Sequence, residues 1–304
     1  MPSETIACET GFIVQGAKDT MNKVAIITDS TTAIPASIAE NQNLTIVPLN
    51  VNWDGETYQD GIDITPQEFY ERLSKSKSIP STSQPSAGAF REIYKKFLDE
   101  GYDILTLVIS SKISGTYNSA IQGAEGLPEN RLFVLNSLQA SMPLAIMALM
   151  TSDAALRGAS LLECKNLAID ISERIQTLFV VNTLEFLHKG GRIGAASRFL
   201  GTALNLKPIL KLQNGVIHPL EKVRTHKKAI KRVFELAELD LGKQGRIEYL
   251  GVLSANSPKL SEEIADTARS RFIVKNEFLS EISPVIGTHV GPGTIGLVYL
   301  PEKK

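Results

Sequence analysis

From residue 23 to residue 158, short apolar runs alternate with longer segments in which apolar positions recur every three or four residues. The runs Val24 to Ile27, Ile104 to Ile109 and Leu132 to Leu135 lack the polar alternation of a half-exposed strand, which predicts strands buried on both faces of a parallel sheet. A helical period marks Ile34 to Glu40, the segment opened by Thr65-Pro66-Gln67-Glu68, the stripe Phe90, Ile93, Tyr94, Phe97 and Leu98, and a mostly apolar stretch from Ala140 to Arg157. Thr65 with Glu68 has the spacing of a capping box, in which each side chain accepts from the other residue's amide, and Pro66 suits a first helical turn. The alternation Val47, Leu49, Val51, Trp53 ahead of Asp54-Gly55, with Tyr58 beyond, predicts a hairpin. Ile79 to Ser86, IPSTSQPS, reads as a proline-punctuated polar loop. Strand alternating with helix predicts a parallel α/β sandwich.

After Gly158 the pattern changes. That glycine and the capping box Ser160 to Glu163 separate two helices and mark the expected domain boundary. Beyond it Leu178 to Val181 reads as a strand, and Ile209 to Leu220 as a hairpin turned at Asn214-Gly215. Strands over Ile247 to Leu253, Phe272 to Val274 and Thr294 to Leu300 surround helices over 225–241 and 258–270. Hairpins with separated helices predict an α+β domain with a mixed sheet. The expected organisation is an extension over 1–22 whose residues show no clear period, an α/β domain over 23–158 and an α+β domain over 159–304.

Composition narrows the function classes. The chain of 304 residues is 43% hydrophobic and 21% charged, an ordinary globular balance sized for about two domains. A net charge of -1 leaves no electrostatic footprint for nucleic acid. Cys8 and Cys164 are too few for a disulfide framework and lack metal-ligand spacing, so a reducing cytoplasm and no metal are expected. Cys164 falls on the stripe Leu161, Cys164, Ala168, Ile171 and Ile175 and reads as core. The apolar run Met142 to Met150 is far too short to span a bilayer, and Glu4 and Glu9 interrupt the N-terminus where a signal peptide needs a basic start and an apolar centre. No stable membrane insertion is expected.

The stretch Ile109 to Ala120, ISSKISGTYNSA, follows the central buried run and therefore falls at a carboxyl end of the sheet, where open α/β sheets bind ligands. A helix is expected from Gly115 with Ser114 as its cap, because a serine oxygen accepts from free first-turn amides, and those same amides favour an anion. Ser110, Ser111 and Ser114 serve equally well as plain turn residues. Asp29, in the turn Thr28 to Thr32, reads as a cap. A literal G-x-G-x-x-G at Gly291, Gly293 and Gly296 precedes a strand where a dinucleotide site requires a helix, which excludes it, and there is no Walker lysine motif, G-x-S-x-G elbow or HExxH. His188, His218, His226 and His289 are scattered without metal spacing. His289 lies among Gly287, Thr288, Gly291 and Gly293, small residues that permit close approach to a ligand, and its imidazole can donate to a carboxylate. A serine hydrolase or acyltransferase using Ser114 and His289 is the alternative class, with no activating acid visible, and a plain α/β regulatory module is a third. Arg192 sits in the glycine-flanked loop GGRIG. The helix after Arg224 gathers Lys227, Lys228, Lys231 and Arg232 in its first half, against the helix dipole, as either a basic face for an anionic partner or a solvated one.

Eight segments in order, ITDSTTAIP, YQDGIDIT, STSQPS, ISSKISGTYNSA, LEFLHKGGRIG, LNLKPIL, EKVRTHKKA and GTHVGPG, resemble the DegV family of bacterial fatty-acid-binding proteins, over about Lys23 to Leu300. The resemblance implies a two-domain fold holding one long-chain fatty acid between the domains, without a cofactor. It also implies a non-enzymatic carrier role as the binding subunit of a fatty acid kinase that feeds phospholipid synthesis. Carried over by motif, Thr82, Ser114 and His289, with Gly115 and Thr116 of the SGT segment, would hold the carboxylate, while Arg192 and Arg224 would face the kinase. Two positions depart from the family pattern beside the implied acyl tunnel: Asn136 where aspartate is usual, and Pro143 where glycine is more frequent.

Overall fold

A computed structural model of the chain describes residues 22–200 and 206–303. The first half runs β1 (Val24–Asp29), α1 (Ala36–Asn41), β2 (Leu44–Val47), β3 (Asn50–Trp53), β4 (Glu56–Gln59), α2 (Pro66–Lys75), β5 (Ser81–Ser83), α3 (Ala87–Asp99), β6 (Asp103–Val108), α4 (Thr116–Ala124), β7 (Leu132–Asn136) and α5 (Met142–Leu156). After Gly158 follow α6 (Leu161–Arg174), β8 (Gln176–Val180), α7 (Glu185–Lys189), β9 (Lys207–Gln213), β10 (Val216–Val223), α8 (His226–Leu241), β11 (Arg246–Ser254), α9 (Pro258–Arg271), β12 (Ile273–Val274), β13 (Glu277–Glu281), α10 (Pro284–Val290) and β14 (Ile295–Pro301).

Among the described residues the strands form three sheets. The first has four strands in the order β2-β1-β6-β7, all parallel. Every residue of β1, and all of β6 after Asp103, is buried, as their continuous apolar runs require of central strands covered on both faces. The second is a seven-stranded mixed sheet, β10-β9-β8-β14-β11-β12, in which β12 and β13 both run parallel to β11 while the other pairs are antiparallel. A small antiparallel sheet, β4-β3-β5, completes the set. The expected α/β half followed by a half with a mixed sheet is thus the observed architecture.

The helix α5 joins the two halves. Its residues Met142 to Leu149 are all buried, so it has no polar face, and it packs against β1 and β6 of one sheet and β11 of the other. Fully burying Leu144, Ile146 and Met147 contributes about 1.5–3 kcal/mol each. The main apolar cluster accordingly runs through both halves, from Ile26 and Leu105 to Phe179 and Leu253.

The capping boxes at Thr65–Glu68 and Ser160–Glu163 form as read, as do the hairpins turned at Asp54-Gly55 and Asn214-Gly215, and Cys164 is buried in α6. Other expectations change. The polar loop over Ile79 to Ser86 contains β5, which pairs with β3 through Val51 opposite Thr82; the partner is remote in sequence, so no local period announces it. The segment around His289, read from the sequence only as a run of small residues, is the helix α10, capped by Ser283 with Pro284 in its first turn. The formal cap of α4 is Gly115 rather than Ser114, although Ser114 Oγ still accepts from Thr116 N at 3.3 Å. The alternation from Val47 to Trp53 divides between β2 and β3, which belong to different sheets, and α1 starts at Ala36, after a tight turn over Ser30–Thr32 capped by Asp29. The extension over 1–21 and part of LNLKPIL lie outside the described residues. No helix among the described residues is long and apolar enough to cross a membrane.

Candidate functional site

At the carboxyl end of the parallel sheet, between it and the mixed sheet, lies a cavity whose empty space, open solvent at its mouth included, is about 830 Å³. Its walls are largely apolar, with Ile113, Pro143, Phe179, Leu212, Leu253 and Val285 drawn from both halves. Thr82, Ser114, Arg192 and His289 share this lining, so one wall gathers four residues that the sequence leaves more than two hundred positions apart at the extremes.

Pairing with β3 places Thr82, and α10 places His289, so that Thr82 Oγ1 and His289 Nε2 hydrogen-bond at 2.8 Å. Burial first, and then the neighbouring Arg192 cation, hold the imidazole well below its ordinary range, at about 4, so the ring is neutral at pH 7. A neutral imidazole donates from one nitrogen and accepts at the other. Nε2 is taken by Thr82, and the buried Nδ1 has no hydrogen-bond partner among the described residues; it lies against Gly190, where a Cβ would collide with it.

Arg192 follows α7 and is half-buried. Its Nε donates to Ile113 O at 3.0 Å and its Nη1 to Gly190 O at 2.7 Å, which ties the second half to the SGT turn of the first. Its guanidinium has no carboxylate partner among the described residues. Ser114 Oγ shares a hydrogen bond with Thr116 Oγ1 at 2.9 Å. The turn is held from two further sides: Ser110 Oγ donates to Gly215 O at 2.9 Å from the β9–β10 hairpin, and Asn136 both accepts from Ser111 N at 3.1 Å and donates to Ser111 Oγ at 2.7 Å. The amide at position 136 does what an aspartate there could do only in part, since a carboxylate has no donor.

Gly115 and Thr116 are not among the lining residues; Gly115 packs on Gln84, and Thr116 is wholly buried, so both shape the turn from behind. The two arginines assigned by resemblance to partner docking differ. Arg224 is exposed and away from the cavity, whereas Arg192 lines it with its guanidinium committed to backbone carbonyls. The basic run after Arg224 is also partly neutralised, contrary to the impression of its sequence: Arg232 makes a two-pronged pair with Glu221 at 2.8 and 2.7 Å and reaches Glu235, which Lys231 also approaches. Serine-hydrolase geometry is not formed. Ser114 bonds Thr116 and His289 bonds Thr82, and no acid among the described residues orients Nδ1.

Two buried carboxylates lie nearby: Asp29, read from the sequence only as a cap, and Asp60, which the sequence reading passed over. Asp29 does cap its turn, accepting from Thr31 N at 3.0 Å, but its Oδ2 also accepts from Ile109 N at 2.7 Å and so joins the ends of β1 and β6. Asp60 accepts from Ser30 Oγ at 2.7 Å and from Val285 N at 3.4 Å. Burial pushes both carboxyls up, Asp29 to about 6 and Asp60 to about 7. A polar residue between Tyr58 and the helix opened by Thr65 is ordinary turn chemistry, and nothing local marks Asp60 as buried.

Fold and site together define an α/β protein with a largely apolar cavity between its parallel and its mixed sheet and with hydroxyl, imidazole and guanidinium groups in the lining. Residues 23–302 match the family model described as "Uncharacterised protein, DegV family", and the chain belongs to the DegV family. It is 36% identical over 284 residues to a DegV domain-containing protein of Halalkalibacterium halodurans, covering 93% of this chain and 100% of that one. Among solved structures, a DegV family protein from Thermus thermophilus described for its fatty acid binding matches with a TM-score of 0.85 and 32% identity, over 92% of this chain and 100% of its own. DegV of Bacillus subtilis, described as a fatty acid binding protein, matches with a TM-score of 0.81 and 31% identity, over 93% and 100%.

Proposed function

We propose that the chain binds one long-chain fatty acid, its acyl chain in the cavity between the sheets and its carboxylate held by Thr82, Ser114 and His289, with Arg192 adding positive potential. The observation that carries this reading is a buried imidazole, hydrogen-bonded to Thr82 and held neutral, beside an arginine without a carboxylate partner among the described residues, in the lining of a largely apolar cavity. A carboxylate there gains charge-assisted hydrogen bonds without a lysine or metal. Each methylene buried behind it contributes about 0.8 kcal/mol, which makes escape slow. The fatty acid binding described for the Thermus and Bacillus relatives supports the same ligand class. The chain acts as a cytoplasmic carrier, not an enzyme: its two halves, divided near Gly158, close on the acid, and it presents the carboxylate to a fatty acid kinase. The exposed Arg224, Lys227 and Lys228, which lie off the cavity, supply the docking face.

Denaturing extraction of freshly purified protein, followed by lipid mass spectrometry, is expected to return about one acid per chain. Thr82→Ala, Ser114→Ala and His289→Ala should each weaken binding of a long-chain acid by about 1.5–3 kcal/mol. Empty protein that takes up no member of a panel of such acids would sink the reading, and parental affinity in all three variants would move the carboxylate elsewhere.

A further inference from the structure

Asp60 does not line the cavity, yet it is 3% exposed and both of its oxygens are engaged. It lies just after β4, and its own amide donates to Leu49 O at 2.9 Å. Its Oδ2 accepts from Ser30 Oγ at 2.7 Å, and that hydroxyl in turn accepts from Leu49 N at 3.0 Å. Its Oδ1 accepts from Val285 N, in the first turn of α10, at 3.4 Å. One carboxylate therefore joins the end of β1, the segment entering β3 and the start of α10. The far end of α10 carries His289, and β3 pairs with β5, which carries Thr82. Both partners of the Thr82–His289 hydrogen bond thus hang from elements that Asp60 connects.

We propose that Asp60 is a positioning residue of the head-group site: by tying α10 to Ser30 and to the entrance of β3, it sets His289 opposite Thr82. The inference rests on the fatty acid reading and names what fixes that site's geometry. A hydrogen bond weakens steeply with distance and angle, so a short helix that carries one partner must be held at its other end. A buried carboxylate is costly unless hydrogen-bonded, and here its two hydrogen bonds go to Ser30 after β1 and to the start of α10, with the Ser30 hydroxyl extending the link to the entrance of β3. The titratable group whose charge acts on it is Asp29 at the end of β1, while burial, then Glu281 and Asp60 itself, raise the hydroxyl of Tyr70 on α2.

The test is an NMR titration of the histidine rings in the full chain, run without added acid and followed by binding assays. Burial and the Arg192 cation are expected to hold the parental His289 midpoint at about 4. Asp60→Ala should raise that midpoint toward the ordinary imidazole value of about 6.5, as α10 loosens and water reaches the ring, with His188, His218 and His226 unmoved. Loss of a negative charge alone would leave the midpoint unchanged or lower it, so the sign separates movement from charge. Asp60→Asn keeps an acceptor for Val285 N and should restore the parental midpoint. In binding assays with a long-chain acid, Asp60→Ala should weaken uptake about tenfold in the parent and hardly at all in a His289→Ala background. An unmoved His289 midpoint, or the same loss of affinity in both backgrounds, overturns the proposal. Should Asp60→Ala fail to fold, Ser30→Ala removes the donor to Oδ2 and carries the same expected direction. Parent protein that takes up no acid would overturn the fatty acid reading alone, and the histidine titration would still decide the role of Asp60.

Discussion

Three buried titratable side chains surround the site, and their shifts have opposite consequences for stability. Asp29 and Asp60 are raised by burial to about 6 and about 7 from an ordinary 3.8, so the folded chain holds protons that the unfolded chain releases. Their contribution is present below 3.8 and is lost as pH rises through about 6 and 7. His289 is lowered to about 4 from 6.5, so its contribution is present above 6.5 and is lost as pH falls through about 4. Two carboxyls outweigh one imidazole, and stability is expected to fall between about pH 5 and pH 8. Melting temperatures across that range check the sign: Asp60→Asn should flatten the decline and His289→Gln should steepen it. A parent that becomes steadily more stable toward alkaline pH would contradict the assignment of buried, protonated carboxyls.

At the scale of elements, the site depends on pieces too small to be stable alone. The helices α7 and α10 have 5 and 7 residues, and helices of that length form through packing rather than propensity. Gly190, at the end of α7, lies against His289 of α10. Its φ of -76° suits any residue, so alanine would fit the backbone there, but the added Cβ would run into His289 Nδ1. Gly190→Ala should therefore displace the imidazole and cut fatty acid affinity about tenfold, the loss of roughly one hydrogen bond, while far-UV circular dichroism and melting temperature stay near parental values. Calorimetric titration showing parental affinity in a folded variant would mean that the ring is not held in place from that side. The strand β5 makes a similar point, since three residues of a serine-rich segment become a strand only because β3 offers them a partner.

In the molecule as a whole, the cavity exists because α5 is buried between two sheets that leave space at the carboxyl end of the parallel one. That arrangement separates the two arginines assigned to docking. Arg224 stands exposed, apart from the lining, so Arg224→Ala should keep the acid bound but slow acyl-phosphate formation when mixed with a fatty acid kinase and ATP, with a deficit that depends on salt as rim charges do. Arg192→Ala should lose acid affinity as well, because its guanidinium lies in the cavity wall and braces Ile113 O. Phosphorylation of the Arg224→Ala variant at the parental rate would remove that face from the docking surface.

Much of this protein follows from contacts within a few residues, and that part was legible in the chain. The buried runs of β1 and β6, the capping boxes at Thr65 and Ser160, the Asn214-Gly215 turn and the mostly apolar α5 obey local rules of period, capping and turn geometry. Motif order also singled out Thr82, Ser114, Arg192 and His289, though not what they would do to one another. Only the tertiary structure decided that Thr82 meets His289 rather than Ser114, that Arg192 turns into the cavity and that Asp60 is buried beneath α10, because each depends on where distant strands and short helices are packed. Hydrophobic period specifies which face of an element is buried, but a hydrogen bond across the molecule depends on the docking of every element between its two ends.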